Sequence, residues 1–197
     1  MFWKRAAGGA DWLIVALGNP GPKYEGTRHN AGYDALDAAA RQWGVPVNRV
    51  KFEGLTGSVT LEGQRAVLLK PATYMNLSGR SAAAAARFYK LPPERVLVLC
   101  DDIAQPPGKL RIRPGGSAGG HNGLKDLIAC LGSQEFARIR IGVGAKPTPE
   151  YDLAAWVLGR PGKAEAAAIA ARHADIEEAI RLILAGRLPE AQNRFNG

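Results

Sequence analysis

The sequence predicts a single α/β domain, and three observations carry that prediction. Two uninterrupted apolar runs, Leu13 to Leu17 and Val96 to Cys100, suit strands covered on both faces of a largely parallel sheet. Between and after them lie helical patterns with one apolar face. With 197 residues there is chain enough for one well-cored domain and no sign of a second core.

Taken in order, residues 1 to 12 carry two basic residues and no sustained apolar stretch, so they fail as a secretory signal and read as an N-terminal arm ahead of a domain over 13 to 197. The run Leu13 to Leu17 ends in Gly18 to Pro22, whose Asn-Pro and Pro-Gly turns take the chain out of the sheet at the strand's carboxyl end. Open α/β sheets bind ligands there. Thr27, Arg28, His29 and Asn30 follow, just before a helix in which Leu36, Ala40 and Trp43 share a face and which stops near Gly44. Taken alone, His29 reads as a polar turn residue before it reads as a catalytic base, and Asn19 as a turn former.

Leu55, Val59 and Leu61 alternate with polar residues, Glu62 to Gln64 turn the chain, and Arg65 to Leu69 return, which predicts an antiparallel hairpin. Pro71 to Asn76 forms a loop at a strand end, and Ser78 is placed to cap the alanine-rich helix that follows. Val96 to Cys100 is the next buried strand and ends in Asp101 and Asp102. Those acids read as turn formers or metal ligands. With no histidine or acid at metal spacing, no metal site is expected.

Lys109, Arg111 and Arg113 alternate with Leu110 and Ile112, and Arg138 and Arg140 alternate with Ile139, Ile141 and Val143. Each strand therefore has a cationic and an apolar face. The pattern fits a half-buried sheet with a solvated face and fits a phosphate-binding surface equally well. Between these strands, PGGSAGGHNGLKD (114 to 126) has glycines around His121 and Asn122. Histidine and asparagine stand where a P-loop needs lysine and serine or threonine, so the glycines point instead to close backbone approach or positive φ. Beyond Gly144, Leu153 to Leu158 reads as a brief strand or extended edge, and Lys163 to Ala185 as one long helix that includes His173. The last residues are too short to interpret.

A net charge of +8 favours a polyanionic partner. No apolar run approaches the roughly 20 residues of a membrane span. Cys100 and Cys130 read as small buried hydrophobes, which fits a reducing cytoplasm.

Together, LGNPGPKY, TRHNAG, KPATYMNLSG, LCDD, PPGKLRIR, GGSAGGHNGLKD and RIRIGVG resemble bacterial peptidyl-tRNA hydrolases from about residue 13 to residue 190. The resemblance implies a single-domain α/β fold with a twisted mixed sheet wrapped by helices, usually monomeric and without a cofactor. It implies hydrolysis of the ester between a peptide and the 3′-terminal ribose of tRNA. His29 matches the family's catalytic histidine and Asp101 the acid that orients it. Asn19, Asn76 and Asn122 match the asparagines of the peptide and CCA-end site, Tyr24 and Tyr74 its aromatic positions, and His121 a supporting histidine. Arg113 and Arg140 match basic positions directed at tRNA phosphate, and strand geometry extends that surface to Lys109, Arg111 and Arg138. Cys100 stands where many relatives carry histidine, and Ala104 where some carry an acid. The rival readings are a non-catalytic RNA-binding protein on the same fold, as in plant organelle splicing factors, and a small-ester hydrolase that ignores RNA.

Overall fold

The computed structural model describes residues 9 to 196; most of the N-terminal arm expected over 1 to 12 lies outside them. The strands are β1 (Trp12–Ala16), β2 (Arg49–Lys51), β3 (Gly54–Leu61), β4 (Gln64–Pro71), β5 (Val96–Asp102), β6 (Leu110–Arg113) and β7 (Ala137–Gly142). The helices are α1 (Ala31–Gln42), α2 (Ser78–Tyr89), α3 (Asn122–Leu131), α4 (Leu153–Leu158), α5 (Lys163–Ala170), α6 (His173–Leu184) and α7 (Leu188–Phe195). The seven strands form one mixed sheet in the order β2-β3-β4-β1-β5-β7-β6. Pairing of β1 with β4 and β5, and of β5 with β7, is parallel, whereas β2-β3, β3-β4 and β6-β7 are antiparallel.

Strands β1 and β5 are buried along their whole length, as their apolar runs require. Their alternate side chains feed two cores. Ile14, Leu97, Leu99 and Ile139 pack with α1, α6 and α7 on one face. Leu13, Val15, Val98 and Cys100 pack with α2 and α3 on the other. Gly32 shows why the first helix can sit so close to the sheet, since a side chain there would run into the backbone oxygens of Leu99 and Leu17. The predicted hairpin is β3-β4, turning at Glu62 and Gly63, both at positive φ.

Four expectations are corrected. Leu153 to Leu158 is the helix α4, nucleated where the Asp152 carboxylate accepts the Ala155 N–H. The long C-terminal helix is broken at Ala171 and Arg172 into α5 and α6, and the chain end forms α7, whose Ala191 and Phe195 are buried. Ser78 is the first residue of α2 rather than its cap, and its hydroxyl donates back to the Met75 carbonyl. Cys130 is exposed, because the inward stripe of α3 runs through Leu124 and Leu127 and passes beside it; Cys100 is buried as expected.

Candidate active site

The parallel strands β1, β4 and β5 end along one edge of the sheet, and the segments leaving them meet there around a cavity of about 570 Å³. Its walls include Asn19 and Tyr24 after β1, His29 on a short 3-10 turn before α1, Tyr74, Met75 and Asn76 after β4, and Asp101 at the end of β5. The glycine loop adds Gly119, Gly120, His121 and Asn122, and β7 adds Arg140. Every asparagine, tyrosine and histidine expected at the site therefore borders one cavity.

At its centre, Nδ1 of His29 lies 2.8 Å from Oδ1 of Asp101, and Nε2 of His121 lies 2.8 Å from the same oxygen. Burial alone would push the Asp101 carboxyl up. The electrostatic pull of the His121 ring, with hydrogen bonds from His121 and His29, outweighs it and holds the carboxyl well below the usual range. An ionised Asp101 accepts only, so His29 carries its proton on Nδ1 and presents the Nε2 lone pair. Among the described residues Nε2 of His29 has no hydrogen-bond partner. His121 is the N-cap of α3: its Nδ1 accepts the Leu124 N–H at 3.3 Å, which puts its own proton on Nε2, facing Asp101.

Spacing along the chain placed no histidine near Asp101, and the fold brings two. Their three donor atoms lie within 4.8 Å of one another. Each contact is explained as a hydrogen bond. Coordination through Nε2 of His121 would require the proton on Nδ1, where the Leu124 N–H already points.

Asn19 is buried and doubly held. Its backbone N–H donates to Oδ1 of Asn30 at 2.8 Å, Nδ2 of Asn30 returns to the Asn19 carbonyl at 3.0 Å, and its own Oδ1 accepts the Met75 N–H at 2.8 Å. The amide's donor end is what remains for a ligand. Asn76 and Asn122 are exposed at the cavity rim, and Tyr24 and Tyr74 meet edge to face with ring centroids 6.5 Å apart.

The cationic strands divide. Lys109 and Arg113 are exposed and Arg111 is half-buried. Arg140 is half-buried, donating from Nε to Asp102 at 2.9 Å, with its guanidinium against Gly119. Arg138 corrects the expectation of a phosphate-binding surface at that position. It is 1% exposed and donates to the carbonyls of Gly116, Ser117, Gln134 and Phe136, fastening the glycine loop to β7. A loop laid over one end of β7 covers this arginine and leaves the next one along the same face nearer the cavity. In that loop Gly116, Gly119 and Gly120 have positive φ.

Two contributors escaped sequence reasoning. Leu153, Ala154, Val157 and Leu158 of α4 form an apolar wall of the cavity. Arg28, next to His29, is buried and fixes that wall: its guanidinium stacks 3.5 Å from the Trp156 ring centroid, pairs with Glu165 at 2.9 Å and donates to the Arg160 carbonyl at 3.1 Å. The Trp in LAAWVL and the Arg beside the histidine were the available signals, but nothing in one sequence joins positions 28 and 156.

A family model described as peptidyl-tRNA hydrolase matches residues 13–197. The chain is 52% identical over 186 residues to a peptidyl-tRNA hydrolase of Symbiobacterium thermophilum, covering 93% of this chain and 98% of the relative. It is 47% identical over 186 residues to one of Agathobacter rectalis, covering 94% and 100%. The crystal structure of peptidyl-tRNA hydrolase from Acinetobacter baumannii superposes with a TM-score of 0.90 at 35% identity, covering 98% of each chain.

Proposed function

The chain belongs to the peptidyl-tRNA hydrolase family, and we propose that it hydrolyses the ester joining peptide to tRNA by a water molecule activated at Nε2 of His29. The observation that carries the mechanism is the His29–Asp101 contact of 2.8 Å. A neutral imidazole with Nδ1–H tied to a buried carboxylate has its basic nitrogen turned to the cavity. As water attacks the ester carbonyl, Nε2 takes its proton and Asp101 stabilises the imidazolium. The same proton then reaches the departing ribose 3′-oxygen, so water is split between acid and alcohol. The developing oxyanion meets donors at the rim, from Asn76 or Asn122 or the N–H groups of the glycine loop. No side-chain nucleophile is needed.

Selectivity for a blocked amine rests on Asn19. Its free amide N–H donates to a peptide carbonyl, whereas the α-ammonium of an ordinary aminoacyl-tRNA would meet a donor and lose hydration there. Lys109, Arg111, Arg113 and Arg140 supply cations on the side of β6 and β7, toward which the tRNA phosphates lie. The reading has the protein act as a monomer and places it in the cytoplasm, where its substrate arises. Among the described residues no helix is long and apolar enough to cross a membrane.

The test is hydrolysis of N-acetyl-aminoacyl-tRNA beside its free-amine counterpart. Release of tRNA from the first and not the second supports the reading. Tight binding of both without cleavage would return the protein to the non-catalytic RNA-binding alternative.

A further inference from the structure

The cavity has a direction. Its lining includes Arg140 of β7, with Gly119 against it, and, across β1 and β5 in the sheet order, Tyr74 after β4, with Tyr24 against it. In the strand order β2-β3-β4-β1-β5-β7-β6, the cationic end opens toward β7 and β6, where Arg111 and Arg113 stand. The aromatic end opens toward β4, β3 and β2. A polyanion drawn to the first edge leaves the second for the rest of the substrate.

A separate groove of about 380 Å³ lies at that second edge, and Tyr74 lines both it and the catalytic cavity. Its walls come from β2 through Val50, from β3 through Leu55, from the loop after β4 through Thr73, and from the turn before α2 through Leu77. The apolar side chains around it are unusually bare: Val50 is 84% exposed, Tyr74 60% and Leu77 42%. A soluble surface gathers such groups where something covers them. The Thr73 hydroxyl is buried there without a hydrogen-bond partner among the described residues.

We propose that this groove receives the residues of the substrate's peptide that lie N-terminal to the esterified one, so that the peptide runs along the sheet edge away from the tRNA. The proposal rests on the hydrolase reading above and adds where the peptide goes and how much of it is felt. From β1, whose following turn carries His29, to β2 is three strand spacings, roughly 14 Å at about 4.8 Å each. An extended peptide advances roughly 3.3 Å per residue, so the groove is used up after about four residues. Its lining is mainly apolar, with the Arg80–Glu53 ion pair beside it, which suits contact with peptides of varied sequence rather than selection of one.

The experiment measures kcat/KM for tRNA carrying N-acetylated leucine peptides of one, two, four and six residues, on the intact protein and on Val50→Asp and Leu77→Asp. The intact protein should favour four residues over one by roughly tenfold, with no further gain at six. Both substitutions should collapse that ratio toward unity, and the highly exposed Val50 can be replaced without loss of packing, which thermal unfolding checks. The ratio is taken within each variant, so a general loss of activity cancels. Equal kcat/KM for all lengths in the intact protein, or a length effect that survives both substitutions, overturns the groove. Failure to cleave even the one-residue substrate would instead overturn the hydrolase reading on which it stands.

Discussion

His29 and His121 converge on a single oxygen, Oδ1 of Asp101, each at 2.8 Å. The two rings nevertheless do different work, because their other nitrogens meet different surroundings. Nδ1 of His121 is held by the Leu124 N–H, while the remaining nitrogen of His29 borders the cavity. In the proposed mechanism one histidine is therefore the base and the other a fixed donor to the carboxylate.

It follows that His29→Ala should lower kcat by roughly 10³-fold or more while leaving tRNA affinity nearly unchanged, since it removes a proton acceptor and no phosphate contact. Asp101→Asn should be slower than the parent but less impaired, and His121→Ala less impaired still. Single-turnover rates with N-acetyl-aminoacyl-tRNA and separate binding titrations check the order. Near-normal turnover by a folded His29→Ala protein would assign the base elsewhere.

Arg138 and Arg113 are register partners on β7 and β6, yet their substitutions should fail in different ways. Arg138→Ala removes a buried donor from four backbone carbonyls, of which that of Gln134 keeps the Gly116 N–H, and should cost about 3 kcal/mol of stability, with a loosened glycine loop. Arg113→Ala, at an exposed position, should leave stability unchanged and flatten the salt dependence of tRNA binding by roughly one counterion or less. Thermal melts and binding across a salt series separate the two. An unchanged salt slope for Arg113→Ala would make it an ordinary solvated residue.

The arginines of β7 also mark how far the sequence could be read. Alternation identified the strand and the cationic face at Arg138 and Arg140, but periodicity says nothing of what covers a face, and the covering loop comes from residues 116 and 117. The parallel strands were legible because burial on both sides demands unbroken apolar runs, and His29, Asn19 and Asn76 because turn chemistry put them at strand ends. Helix α4 was misread because six mostly apolar residues carry no decisive period; the Asp152 cap and the Arg28–Trp156 stack that define it depend on tertiary placement. The meeting of residues 29, 101 and 121 was legible only through resemblance.

Asp34, in the first turn of α1, gives a pH prediction. Burial, with Asp37 adding to it, raises its carboxyl from 3.8 to about 6 against the opposing pull of Lys70 and Arg41. A raised folded-state pKa means the native protein holds this proton longer than the unfolded chain, so the contribution of this group to stability is fully present below about pH 4 and is lost as pH rises through about 6. Asp34→Asn cannot ionise and should escape that fall. Denaturant titrations should find it more stable than the parent by about 1 kcal/mol at pH 7.5, after allowance for partial solvent contact, and equal to it near pH 4. The reverse sign at pH 7.5 would mean that the ionised carboxylate is favoured at the start of the helix.

Asn19 allows specificity to be separated from catalysis. Its Oδ1 is engaged by the Met75 N–H at 2.8 Å, and Asn30 clamps its backbone, so the side chain has one orientation and one end to offer. Asn19→Asp keeps the size and the bond to Met75 but replaces the donor with an acceptor. A blocked substrate loses a hydrogen bond to its peptide carbonyl and meets a carboxylate oxygen instead. An unblocked aminoacyl-tRNA gains a partner for its α-ammonium. The preference for N-blocked substrate should therefore narrow, chiefly because the blocked substrate is cleaved more slowly, by about 10- to 100-fold for the loss of one buried hydrogen bond and its replacement by repulsion. The measurement is kcat/KM for matched N-acetylated and free aminoacyl-tRNAs on parent and variant at one ionic strength. An unchanged ratio would leave Asn19 as a structural link between the turn after β1 and Met75, with selectivity arising elsewhere in the cavity.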